Sequence, residues 1–168
     1  IQGRQMVAPD DSAYGAIHLM TDFSHRYPVP DFTLPSSAGG SLELSSLRRR
    51  RPAVLVFLPT LSDTARAYLL TYAEAIADFE EYNAAVFAIV PVTPEEAQEA
   101  SAGLPFPILA DADGQVHHRY FGKPTPAVFM LDRYNAPRMW RIEEDVSALL
   151  PALEAADEIR GAELSCSL

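Results

Sequence analysis

Two short apolar runs constrain this chain more than anything else in it. Ala53 to Leu58 reads Ala-Val-Leu-Val-Phe-Leu, and Ala84 to Val90 likewise carries no polar residue. Each is too short for a core helix, is bounded by turn residues, and lacks the alternation of a strand with one wet face. Such runs are strands covered on both sides. Val54 to Leu58 is therefore the first buried strand and Ala84 to Val90 the second. A sheet covered on both faces requires helices between its strands, so the fold class expected is α/β.

The intervening segments supply them. Between Asp63 and Phe79, Tyr68, Leu69, Tyr72, Ile76 and Phe79 recur at helical spacing. Thr93-Pro-Glu-Glu offers a cap, a proline at the first helical position and acidic residues in the first turn, with the helix stopping at Gly103. Gln115 to Phe121 is a helix ending at Gly122. Val128 to Leu131 is a strand that turns at Tyr134-Asn135 into a second, Arg138 to Ile142. Ala148 to Ile159 closes the chain as an amphipathic helix.

Four segments in this order resemble one known family. Tyr27-Pro-Val-Pro-Asp-Phe-Thr-Leu-Pro35 resembles its Ala-Pro-Asp-Phe-x-Leu opening. Ser41-Leu-Glu-Leu-Ser-Ser-Leu47, after the Gly39-Gly40 turn, resembles its next strand and helical turn. Leu104-Pro-Phe-Pro-Ile-Leu-Ala-Asp-Ala-Asp-Gly114 resembles its Leu-Pro-Phe-Pro-x-Leu-x-Asp-x-x-Gly segment. Lys123-Pro-Thr-Pro-Ala-Val-Phe-Met-Leu-Asp132 resembles the loop and strand facing the active-site turn. The chain is thus similar, over roughly residues 28–160, to the AhpC/TSA (peroxiredoxin-like) branch of the thioredoxin superfamily. The resemblance implies a thioredoxin-like mixed β-sheet flanked by helices, with residues 1–27 as an N-terminal extension and 28–168 as the domain. In that extension Ala13 to Phe23 has an amphipathic character, through Tyr14, Ile17, Leu19 and Met20.

The same resemblance places an active-site turn at Pro59-Thr60, and there the expected reagent is missing. Aligned to the Cys-x-x-Cys-Arg of thioredoxin-like reductases, the cysteine positions read Ser62 and Ala65 before Arg66. Aligned to the Phe-x-Pro-x-x-x-Thr-x-x-Cys of peroxiredoxins, Asp63 replaces the threonine and Arg66 the cysteine. Thiol peroxidases and disulfide reductases work through a thiolate, and a serine hydroxyl neither ionises near neutrality nor has that oxidation chemistry. At Thr125-Pro126 the resemblance to the reductases implies a cis-proline, and Pro126 stands where peroxiredoxins carry an arginine. The former active site then comprises Pro59, Thr60, Ser62, Asp63, Ala65, Arg66, Thr125 and Pro126, with no catalytic residue assigned.

Other constellations carry less. Cys166 is the only cysteine and excludes both an intrachain disulfide and a Cys-based zinc site. It lies in an acidic tail, a poor setting for a reactive thiol. Ser62 lacks a neighbouring base and a Gly-x-Ser-x-Gly elbow, so Ser62 or Thr64 reads as a helix cap. His117 and His118 point about 100° apart on a helix and chelate poorly; His18 and His25 stand apart from them. Asp111, Asp113 and Gly114 lack calcium-loop spacing and read as a turn. Asp22 and Asp31, or Glu143, Glu144 and Asp145, have no setting that would perturb them. No metal or cofactor is expected.

A net charge of −10 argues against nucleic acid or an anionic membrane as the main partner. Arg48 to Arg51 form a basic run in a Pro-flanked loop, read as a solvated connector or, alternatively, an anion site. No stretch approaches the ~20 apolar residues of a membrane span. No signal-peptide pattern is visible, which points to the cytoplasm although the chain opens at Ile1. Three functions follow: a redox-inactive binding or assembly module with a protein partner or a second copy; a residual thiol enzyme using Cys166 or a partner's cysteine; or a small-anion binder at Arg66 and the helix start.

Overall fold

The computed structural model describes residues 22–166, with side chains to Gly161. Nearly all of the expected N-terminal extension lies outside the described residues. A hairpin of β1 (Thr33–Pro35) and β2 (Ser41–Glu43) opens the domain. A 3-10 turn, Leu44–Leu47, leads into β3 (Ala53–Phe57), α1 (Asp63–Glu74) and α2 (Ile76–Glu81). There follow β4 (Ala85–Val90), α3 (Pro94–Ala100), β5 (Ile108–Ala110) and α4 (Gln115–Phe121). β6 (Ala127–Leu131), β7 (Pro137–Ile142), a 3-10 turn at Val146–Ala148 and α5 (Ala152–Cys166) complete it.

The main sheet has the order β5-β4-β3-β6-β7. β3, β4 and β5 run parallel, while β6 lies antiparallel to both β3 and β7. This is the thioredoxin-like mixed sheet flanked by helices that the sequence leads one to expect. Every residue of β3 is completely buried because both its faces are covered. Val54, Val56 and Leu58 point to one layer, packed with Leu69, Tyr72, Phe79 and Ile159 of the helices. Leu55 and Phe57 point to the other, with Phe32, Leu44, Tyr120, Phe129 and Trp140. Phe23 belongs to this second layer too, its ring 4.7 Å from that of Phe129. The hairpin closes on the β5 edge: Ser37 N–H donates to the Ile108 carbonyl, and Ser37 Oγ accepts from Ile108 N–H.

Two helices differ from expectation. The single helix expected over Asp63 to Phe79 is broken at Ala75 (φ −94°, ψ 7°). Across the break the Phe79 ring lies 5.7 Å from that of Tyr72, nearly parallel. The last helix starts at Ala152 instead of Ala148. Pro151 is the cause, since the residue before a proline is driven out of the helical region, and the chain is already extended at Leu149 (φ −70°, ψ 160°).

Candidate functional site

The site is built at the end of the sheet where β3 and β4 finish. Leu58 N–H donates to the Ile89 carbonyl at 3.1 Å, so the chain leaves the sheet only at Pro59 and Thr60. Ser62 is the N-cap of α1: its Oγ accepts from Ala65 N–H at 3.2 Å, and its carbonyl from Arg66 N–H at 2.9 Å. Asp63 adds a favourable carboxylate to the first turn. Ser62, Asp63 and Arg66 face solvent, whereas Ala65 is buried beneath them. Arg66 folds back, donating from Nε to the Leu61 carbonyl at 3.1 Å. Among the described residues it pairs with neither Asp63 nor Glu74.

Thr125 and Pro126 arrive from the opposite direction. Phe57 pairs with Ala127 in the β3–β6 ladder, which lays buried Pro126 beside the start of the turn. The turn after β3 and the Thr125-Pro126 loop therefore lie side by side. The expected cis bond is not present: the Thr125–Pro126 peptide is trans, as are all described peptides. Trans is the intrinsically favoured isomer, by about 0.5–1 kcal/mol. In that form Thr125 N–H meets His117 and the Pro126 carbonyl accepts from Glu143 N–H at 3.0 Å. The loop thus departs from the reductase arrangement implied by the resemblance.

Sequence reasoning missed the residue that joins these parts. His117 is completely buried below the turn. Its Nδ1 accepts from Thr125 N–H at 3.2 Å and its Nε2 donates to the Ile89 carbonyl at 3.1 Å. These roles require the neutral tautomer protonated on Nε2, because a backbone N–H can only donate. Burial depresses the imidazole's pKa, partly opposed by the Ile89 bond and the Asp111 carboxylate. Asp111, also fully buried, accepts from Val116 N–H at 3.1 Å and His117 N–H at 2.9 Å, fixing the start of α4. The Ile89 carbonyl accordingly serves both the strand bearing the turn and the imidazole. The signal in sequence was the apolar setting of His117 between Val116 and Tyr120, the pattern of an interior helix face.

A groove of about 580 Å³ runs along α1 from Thr64 past Tyr68 and Thr71, bounded opposite by Leu149 and Leu153. At its base the Tyr68 hydroxyl donates to the Leu150 carbonyl, with the Tyr72 hydroxyl 3.0 Å away. Burial and that neighbouring hydroxyl push the Tyr68 pKa far above its ordinary value. No cluster of three or more metal-ligating side chains occurs among the described residues.

Residues 26–136 match the AhpC/TSA family model. The chain belongs to the AhpC/TSA family. Among solved structures it is similar to the peroxidoxin BcpB from Mycobacterium tuberculosis, at 22% identity and a TM-score of 0.70, covering 80% of this chain and 95% of that one. Enterococcus faecalis AhpC superposes with a TM-score of 0.72 at 16% identity, covering 83% and 92% respectively. Plasmodium vivax 2-Cys peroxiredoxin does so with 0.72 at 11% identity, covering 81% and 80%. Among curated proteins, no sequence matches the chain. At these identities the neighbours establish the AhpC/TSA fold alone.

Proposed function

We propose that this AhpC/TSA protein is redox-inactive and works as a binding or assembly module, with a protein partner or a second copy meeting it at the former active-site end. One observation carries the reading: no residue from Pro52 to Leu70 is a cysteine, and the groups in the thiol positions have other duties. Ser62 holds the helix cap and Arg66 ties down the Leu61 carbonyl.

The course of α5 supports the same reading against a residual thiol enzyme. Tyr82, just before β4, lies at the end of the sheet opposite the turn, and the Arg160 guanidinium sits over its ring at 6.0 Å. α5 reaches Cys166 six residues further on, about 9 Å along the helix axis. Arg160 is thus placed at the end of the sheet away from Pro59 and Thr125. Use of the turn as an anion site draws little support, since the Ala65 amide and Arg66 Nε already have acceptors.

The test is peroxide and disulfide turnover by the purified chain, with thioredoxin or a dithiol as donor. Rates should equal those of the same protein after alkylation of Cys166. Turnover above that control would overturn the proposal.

A further inference from the structure

The end of the sheet opposite the turn has a different character. Ala53 pairs with Leu131 there, so the loop before β3 and the turn after β6 lie side by side. The first carries Arg48, Arg49, Arg50 and Arg51, four of the chain's 13 basic residues. The second carries Tyr134, 55% exposed. The N-terminal segment reaches the same place, since Val29 N–H donates to the Asn135 carbonyl at 2.9 Å, and Tyr27 just before it is 68% exposed. Two exposed tyrosines therefore flank a run of arginines, the side chains most enriched in interface hot spots.

The loop is held, not loose. Arg49 N–H donates to the Arg133 carbonyl at 2.6 Å, and Arg51 Nε donates to the Asn83 carbonyl at 3.0 Å. Arg49 sits in the left-handed region at φ 64°, a strained conformation for a non-glycine residue. Glycine would fit there without that strain, and it would bring no charge. Two carboxylates have hydrogen-bond donors of their own: Asp132 accepts from Tyr134 and Ala136 N–H, and Glu43 from the Ser45 hydroxyl. Arg48, Arg49 and Arg50 face solvent, and among the described residues none of them forms an ion pair. Like charges thus stand together on a braced, partly strained loop, in a chain whose net charge is −10.

We propose that Arg48 to Arg50, with Tyr27 and Tyr134, form a docking surface for a short acidic segment of a protein partner. Guanidinium groups bind carboxylates in bidentate fashion, and tyrosines bury the segment's aliphatic stems. The size and the charge of the molecule select a short peptide over nucleic acid or a membrane. The arginines gather on the loop before β3 and the adjoining turn, while the chain as a whole carries a net charge of −10, so a long polyanion would be repelled by the surface beyond them.

The test is fluorescence anisotropy with a labelled oligoglutamate of about ten residues, a length of about 33 Å when extended. A single-stranded oligodeoxynucleotide of equal charge and phosphatidylserine vesicles serve as competing probes. The full chain should bind the peptide, and the double variant Arg48→Ala/Arg50→Ala should bind it about tenfold more weakly or worse, with an unchanged circular dichroism spectrum. Arg48→Lys/Arg50→Lys, which keeps charge but loses the planar fork, should fall between them. Lys123→Ala, lacking a cation at the other end of the sheet, should bind as the parent does. No binding by the parent, equal binding by the double variant, or an equal loss in Lys123→Ala would overturn the proposal. Tighter binding of the oligonucleotide or the vesicles than of the peptide would overturn the assignment to an acidic protein segment.

Discussion

At the scale of single residues, His117 matters most, because an interior imidazole that must stay neutral couples the site to pH. Its folded pKa lies below its unfolded value of about 6.5, so the unfolded chain takes up a proton that the folded chain refuses. Stability from this group is complete above about pH 6.5 and declines as pH falls below it, by at most about 1.4 kcal/mol per pH unit, until the folded pKa is reached. Urea midpoints at about pH 7.5 and about pH 5.5 should therefore differ more for the parent than for His117→Gln, whose amide does not titrate. Parallel behaviour of the two proteins would assign the pH dependence to other groups. Protonation would also cost the Thr125 N–H its acceptor, so the loop opposite the turn should loosen first. Ser62 offers a second test: Ser62→Ala should lower stability by about 1 kcal/mol, and Ser62→Asn should restore most of it, as a cap does and a nucleophile does not.

At the scale of elements, α3 carries a complete capping box, in which Thr93 Oγ1 accepts from Glu96 N–H while the Glu96 carboxylate accepts from Thr93 N–H. Thr93→Ala removes the hydroxyl half, leaving the backbone N–H of residue 93 on Glu96, and should cost about 1 kcal/mol in chemical denaturation, with little change to the turn at Pro59. This box was legible from Thr93-Pro-Glu-Glu because its chemistry is local. So were the buried strands, whose unbroken apolar runs have few other solutions, and α4, enclosed by Gly114 and Gly122 in left-handed conformation. What escaped the sequence was set by distant contacts. The trans Thr125–Pro126 bond goes with partners on α4 and beyond β7. At the site, the residues of the turn and of the Thr125 loop could be read in advance, and the imidazole between them could not. Val116 and Tyr120 mark the face on which His117 lies, but the groups that its two nitrogens meet, Ile89 and Thr125, come from distant parts of the chain.

At the scale of the whole molecule, the two layers meet only through the sheet, and the second is densely aromatic. The Phe129 ring lies within 6.0 Å of Phe23, Phe57, Tyr120 and Phe121. Phe129→Ala should cost about 3–5 kcal/mol, read as a large drop in urea midpoint, because several rings cannot all collapse into one vacancy. The position of β3 at the centre of the order β5-β4-β3-β6-β7 has a further consequence, for how the protein is made. A ribosome delivers β3, β4 and β5 well before β6, and one side of β3 has no strand to pair with until Ala127 to Leu131 have emerged. Through that interval the growing chain presents an apolar ribbon with an open edge, the kind of species that chaperones bind and that aggregates when they do not. A fragment ending at Pro126 should accordingly be protease-sensitive and prone to precipitate, and extension through Ile142 should bring abrupt resistance.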